Sequence, residues 1–160
     1  MCPLIREISR LGAGHRQALQ LHLLSLNAHD RYQRFGMHLD DARLLAWLRD
    51  TDWEQQQWWG AWAVGDMGLL GAMQLVQTHV SGVWEMGLSV SDLVRQQGVA
   101  RNLLSTVLLG GYLPELKKMV CLHGHPAVFR IAKNLGHTAT IQSSEPRLWI
   151  EVRATAAFKA

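Results

Sequence analysis

The sequence predicts a single layered α/β domain: a mixed, mostly antiparallel sheet of about seven strands flanked by helices. Three observations lead there. Short runs rich in β-branched and aromatic residues alternate with stretches whose apolar residues recur at helical spacing. Three of those runs, Trp58 to Val64, Leu69 to Val80 and Val83 to Val90, follow one another across only Gly65-Asp66 and Ser81-Gly82, the pattern of an antiparallel meander. No linker, repeat or low-complexity segment divides the 160 residues, a length that suits one domain, 1–160, with a substantial core.

Leu4 to Ile8 reads as the first strand. Between Gly14 and Leu26, Leu19, Leu23 and Leu26 recur at helical spacing, and Leu21 and Leu24 broaden the apolar face. Asp30 to Phe35 is a second, short helix ended by Gly36. Asp40 caps a third, which turns Leu44, Leu45 and Leu48 to the core. After the meander, Val99 to Leu109 is a helix with Val99, Leu103, Leu104, Val107 and Leu108 on its apolar face, stopped by Gly110-Gly111. Lys118 to His123 is a strand. His125 to Leu135 is a helix with Pro126 in its first turn and Gly136 as its stop. Thr138 to Gln142 and Arg147 to Arg153 close the chain as a hairpin.

Composition narrows the function classes. Hydrophobic residues make up 48% and charged residues 18%, ordinary for a globular domain. The formal charge of +3 is mild, and its basic residues are scattered, so no nucleic-acid stripe is expected. Cys2 and Cys121 form neither a disulfide framework nor a metal knuckle. The N-terminus lacks a charged-then-apolar signal, and no apolar run approaches the ~20 residues of a membrane span. A cytoplasmic protein without metal or membrane partner is the expectation.

The stretch Arg95-Gln96-Gln97-Gly98-Val99-Ala100 carries the strongest functional signal. It leaves the strand Val83 to Val90 and opens the helix at Val99. N–H groups in a helix's first turn have no intrahelical partner, and the helix dipole adds positive potential there. Gly98 and Ala100 keep side-chain bulk away, so a phosphate can reach the backbone, and Arg95 and Arg101 flank it with full charges. On the strand itself, Trp84, Met86, Leu88 and Val90 share one face. Glu85, Gly87 and Ser89 share the other and leave room for a ligand. A carboxylate on a central strand is either ion-paired or solvated, or has a task such as general base.

Trp84 to Arg101 as a whole resembles the central motif of the GNAT superfamily of acyl-CoA N-acyltransferases: a strand ending in Val, a short turn, then Gln/Arg-x-x-Gly-x-Gly/Ala opening a helix. The resemblance implies a splayed central strand pair. It implies that the backbone of Leu88, Ser89 and Val90 holds the pantetheine arm of CoA. Arg95, Gln96, Gln97, Gly98, Val99, Ala100 and Arg101 would cradle the pyrophosphate. A second match runs from His125 through Val128, Ile131, Ala132 and Leu135 to Gly136 and His137. Here His125 stands where the family has an Asn that contacts CoA, and Ala132 where many members carry a Tyr general acid. A third, Asp30-Arg31-Tyr32-Gln33-Arg34-Phe35, resembles a segment of the bacterial protein-lysine acetyltransferase-like branch. That branch has a catalytic Glu five residues before the strand's final Val, and Glu85 stands five before Val90. Gln96 departs from that branch, which often has Gly there.

Taken together, the resemblance implies transfer of an acetyl group from acetyl-CoA, its co-substrate, to a primary amine. Glu85 would be the general base, and His125 both a CoA contact and a proton source for the thiolate. The acceptor, a small-molecule amine or a protein lysine, is not readable; the family shapes it with the N-terminal helices, the Trp53–Trp59 region and the Ser143–Pro146 loop. A catalytically weak CoA-binding sensor is the alternative, and a homodimer stays open. Cys121, in an apolar run, is expected to be inert core. Trp58 and Trp62 on one strand face, with Trp59 on the other, suit sheet packing or an aromatic wall.

Overall fold

A computed structural model describes residues 2–113, 115–142, 144–145 and 147–153. Ser143 and Pro146, at the ends of the loop singled out above, lie outside them. The elements are β1 (Ile5–Leu11), α1 (Arg16–Leu24, after a turn of 3₁₀ helix at Ala13–His15), α2 (Ala28–Phe35), α3 (Asp41–Arg49), β2 (Gln56–Ala63), β3 (Leu69–Gln77), β4 (Val83–Val90), α4 (Val99–Leu109), β5 (Lys118–Cys121), α5 (Pro126–Asn134), β6 (Thr138–Ile141) and β7 (Leu148–Glu151). A second 3₁₀ turn, Asp92–Val94, lies between β4 and α4.

The seven strands form one mixed sheet in the order β1-β2-β3-β4-β5-β7-β6. Every neighbouring pair is antiparallel except β4 and β5. A parallel pair needs a crossover, and α4 supplies it. The β4–β5 ladder is short, running from Val83 opposite Lys118 to Glu85 opposite Val120 and going no further, while β4 stays paired to β3 as far as Val90 opposite Gly71. The two central strands therefore part beyond Glu85, as the resemblance implies.

Alternation along the strands feeds two cores. Trp59, Met73, Leu75, Trp84 and Met86 pack with α4 and α5 on one side. Trp58, Leu69 and Ala72 pack with α1 and α3 on the other. Trp58 is fully buried and Trp59 nearly so; sheet packing accounts for both rings. The helix starts follow local chemistry. The Asn27 side chain accepts from the Asp30 N–H at 2.9 Å and the Asp40 side chain from the Arg43 N–H at 2.8 Å, while Gly36 takes the left-handed φ of +72° that ends α2. Arg31 is buried between the helices. It donates to the carbonyls of Leu24, Leu26 and Leu39 and pairs with Asp41 at 2.7 Å, satisfying helix-end acceptors that would otherwise be orphaned.

Three sequence expectations need correction. β1 extends to Leu11. Leu45 is exposed rather than core-facing, because Leu44 and Leu48 already fill the stripe of α3. Leu21 is exposed too; the residue that shares the buried stripe of α1 with Leu19, Leu23 and Leu26 is His22. Since Leu44 is fully buried in the α1–α3 core, Leu44→Ala is expected to cost about 2–5 kcal/mol, read from urea unfolding midpoints.

Candidate active site

The parting of β4 from β5 opens a cavity of about 930 Å³, within the range of ligand sites. The C-terminal half of β4 forms its floor. α2 covers one side, the Arg95–Arg101 segment closes one end, and the turn from β5 into α5 forms the opposite wall. Glu85, Leu88, Ser89, Val90, Arg95, Gln96, Gly98, Val99, Ala100, Arg101 and His125 all line it. Gln97 is exposed outside the wall.

At the loop end, Gln96 and Gly98 take left-handed φ values of +61° and +86°. These two residues turn the chain from the 3₁₀ turn into α4. Gly98 suits that conformation and is the helix N-cap, with no side chain to satisfy the first N–H groups. The side-chain amide of Asn102 donates to the Gly98 carbonyl at 2.7 Å and closes the turn from inside. Among the described residues, the backbone N–H groups from Gln96 to Arg101 donate to no protein acceptor. They form a crown of unpaired donors at the positive end of an eleven-residue helix, an arrangement that favours an anion. Arg95 is ion-paired to Asp30 of α2, which ties this loop to the helix over the cavity.

The face of β4 carrying Glu85, Gly87 and Ser89 looks toward α1 and α2. The space expected at Gly87 is filled: a Cβ there would overlap the guanidinium of Arg34. Arg34 lies against the Phe35 ring, 4.7 Å from its centroid, and 5.7 Å from that of Trp58. Its Nη2 donates to Gln74 Oε1 at 2.6 Å, and Gln74 Nε2 donates to Gln56 Oε1 at 2.5 Å. Burial lowers its pKa to about 10 against the raising influence of Glu85, so it stays charged at neutral pH. Glu85 is partly buried, lines the cavity and, among the described residues, makes no hydrogen bond or ion pair. It is a carboxylate left free to meet a ligand.

Sequence reasoning missed two side chains. One is Arg34 in this role. The other is His22, which is buried on α1 with Nε2 2.9 Å from Ser89 Oγ. Its place on the α1 stripe, between Leu19 and Leu23, was the available signal. The contact engages the Ser89 hydroxyl, and the Ser89 backbone faces β3 rather than the open edge, so the cofactor contact expected of Ser89 has no free backbone group to make it. Burial drives the His22 pKa down to about 4. A base whose folded pKa lies below its unfolded value binds a proton only on unfolding. The stability is whole above about pH 6.5 and is lost as pH falls toward 4, by about 3 kcal/mol at ~1.4 kcal/mol per pH unit. His22→Gln, which can keep a bond to Ser89, is expected to flatten the pH dependence of the unfolding midpoint between 6.5 and 4.

His125 caps α5: its Nδ1 accepts the Ala127 N–H at 3.1 Å. An accepting Nδ1 places the ring proton of the neutral imidazole on Nε2, leaving a donor on the cavity wall. His123 packs against Gly36, where a Cβ would overlap its ring, and faces Tyr32; it anchors the end of α2. Cys121 is buried and its thiol pKa is pushed up to about 12 by that burial, which leaves it inert as a nucleophile. His137 is buried, its Nδ1 accepts the Arg153 N–H at 3.2 Å, and burial lowers its pKa. Among the described residues no three His, Cys, Asp or Glu side chains gather as metal ligands would, and no helix is long and apolar enough to cross a membrane.

No protein-family model and no curated protein matches this sequence. Solved structures do. The GNAT domain of S. lividans PAT superposes with a TM-score of 0.68 at 14% identity, over 90% of this chain and 88% of that one. A GNAT-family acetyltransferase from Staphylococcus aureus Mu50 gives 0.62 at 12% identity, over 92% and 100%. Spermidine N-acetyltransferase from Vibrio cholerae, solved with CoA and spermine, gives 0.64 at 12% identity, over 91% and 95%. At such identities the likeness speaks to architecture alone: a mixed seven-stranded sheet that splays between β4 and β5, with a helix N-terminus at the mouth of the splay, gives this chain the fold of those GNAT domains.

Proposed function

We propose that the protein is an N-acetyltransferase that passes the acetyl group of acetyl-CoA directly to a primary amine. The observation that carries the reading is the cavity itself. One continuous space joins a crown of N–H groups at α4, the edge of β4 and the Glu85 carboxylate, each without a protein partner among the described residues. Each part fits a different piece of the reaction. The crown with Arg95 and Arg101 matches a pyrophosphate in charge and in donor count. The edge of β4 beyond Glu85, released from β5, offers backbone groups of Leu88 and Val90 to the amide-bearing pantetheine arm, while those of Ser89 point to β3. The thioester end then lies back along β4, toward Glu85 and away from Arg95.

Glu85 takes the proton from the acceptor ammonium, directly or through a water, and the freed amine attacks the thioester carbonyl. A backbone N–H near Leu88 faces the oxygen on which charge develops. The thiolate leaves readily, since a thiol has a pKa of about 8.5; His125 Nε2–H donates a hydrogen bond to it and solvent supplies the proton, so the reading does not need a hydroxyl at Ala132, which is fully buried. Acetyl-CoA with a panel of amines, followed by release of free thiol, tests the reading. Amine-dependent thiol release supports it. CoA binding without turnover on any amine leaves only the sensor alternative.

A further inference from the structure

Within the acyltransferase reading, on which this inference rests, we propose that the acceptor is a zwitterionic amine, an amino-carboxylate such as an α-amino acid, whose carboxylate is received by Arg34 while its ammonium faces Glu85. The two side chains project from the same side of the sheet. Arg34 lies over Gly87, and Gly87 is two residues along β4 from Glu85, roughly 7 Å of strand. Both line the cavity, yet among the described residues they form no ion pair with each other. Opposite charges held close without touching leave a gap suited to a molecule that carries both.

The guanidinium is built into place. Phe35 and Trp58 lie against it, and Gly87 gives it room. Gln74, itself held by Gln56, accepts from Nη2. Among the described residues Nη1 makes no hydrogen bond, and it is not sealed off, so the fork retains donors for a carboxylate. A fixed, charged arginine beside the base disfavours acceptors with a second cation near the reacting nitrogen, such as polyamines. A lysine within a peptide brings no carboxylate to this point. Phe35, Trp47 and Val76 complete the wall, so an apolar substituent on the amino acid is accommodated.

The test compares acceptors that differ only at the carboxylate. With saturating acetyl-CoA, thiol release is measured for leucine and phenylalanine, for their carboxamides, for the matching decarboxylated amines, for spermidine and for a lysine-containing peptide. The expected result is a kcat/KM for the amino acids at least tenfold above that of the amides and amines, with spermidine and the peptide lower still. Arg34→Gln is expected to erase the advantage and Arg34→Lys to keep part of it. The acid-against-amide comparison on the unaltered protein stands even if an Arg34 variant fails to fold. Equal or better turnover of amides, spermidine or peptide overturns the proposal while leaving the acetyltransferase reading intact. If no amine of any class turns over, the acetyltransferase reading fails separately. The acceptor proposal is then decided by calorimetry on the CoA-bound protein: tighter binding of the acids than of the amides supports it, and equal or absent binding overturns it.

Discussion

Glu85→Gln is expected to lower kcat for acetyl transfer by about 10²–10⁴-fold, the usual worth of a positioned general base, with CoA affinity and unfolding midpoint nearly unchanged. The substitution keeps the shape of the side chain and removes its charge and basicity. Among the described residues Glu85 makes no hydrogen bond or ion pair, and Arg34, whose charge it supports at a distance, keeps its bond to Gln74. The crown of N–H groups proposed to hold the phosphates is at the other end of the cavity, beyond Val90, so on that reading CoA binding has no reason to move. The measurement is thiol release with the best acceptor of the panel, paired with calorimetry for CoA. An unchanged kcat would show that solvent or another group takes the proton.

Gly87→Val is expected to push the Arg34 guanidinium out of its place over β4. Its side chain would enter the space of the Arg34 guanidinium. Overpacking of this kind costs about 1–3 kcal/mol. Displacing Arg34 also strips Gln74 of its donor in a partly buried site, worth about 1–3 kcal/mol more. Because the overlapping atoms are the tip of a flexible side chain that can swing aside, the expected total is about 2 kcal/mol, a fall of roughly 5 °C in Tm for a domain of this size. If the cause is the clash, removing the other partner must relieve it. Arg34→Ala added to Gly87→Val should cost less than the two changes made separately, a coupling that a thermodynamic cycle reads directly. Strict additivity would refute the packing account.

The parts of this structure legible in the sequence are those fixed by local chemistry. The strand–turn–helix at Val83–Leu109 could be read because a strand, a glycine in a left-handed turn and an apolar helical stripe occur in immediate succession. The caps at Asp40 and His125 and the glycine stop of α2 depend on a few adjacent residues. The unread parts depend on which elements pack together. Gly87 reads as empty space until α2 is laid over β4, because Arg34 reaches it from more than fifty positions upstream. His22 reads as a polar interruption among leucines until Ser89 is placed beneath it. Gln97 lies within the cradle motif but points away, since one residue of the turn must face outward as the chain reverses.

Titration calorimetry of CoA against pantetheine tests the central claim, that the splay and the α4 N-terminus together form a CoA site. Both ligands carry the thiol arm, and only CoA carries the phosphates. CoA should bind at least a hundredfold more tightly than pantetheine, and Arg95→Glu should remove most of that difference. Failure of CoA to bind, or equal binding of the two, would contradict the account.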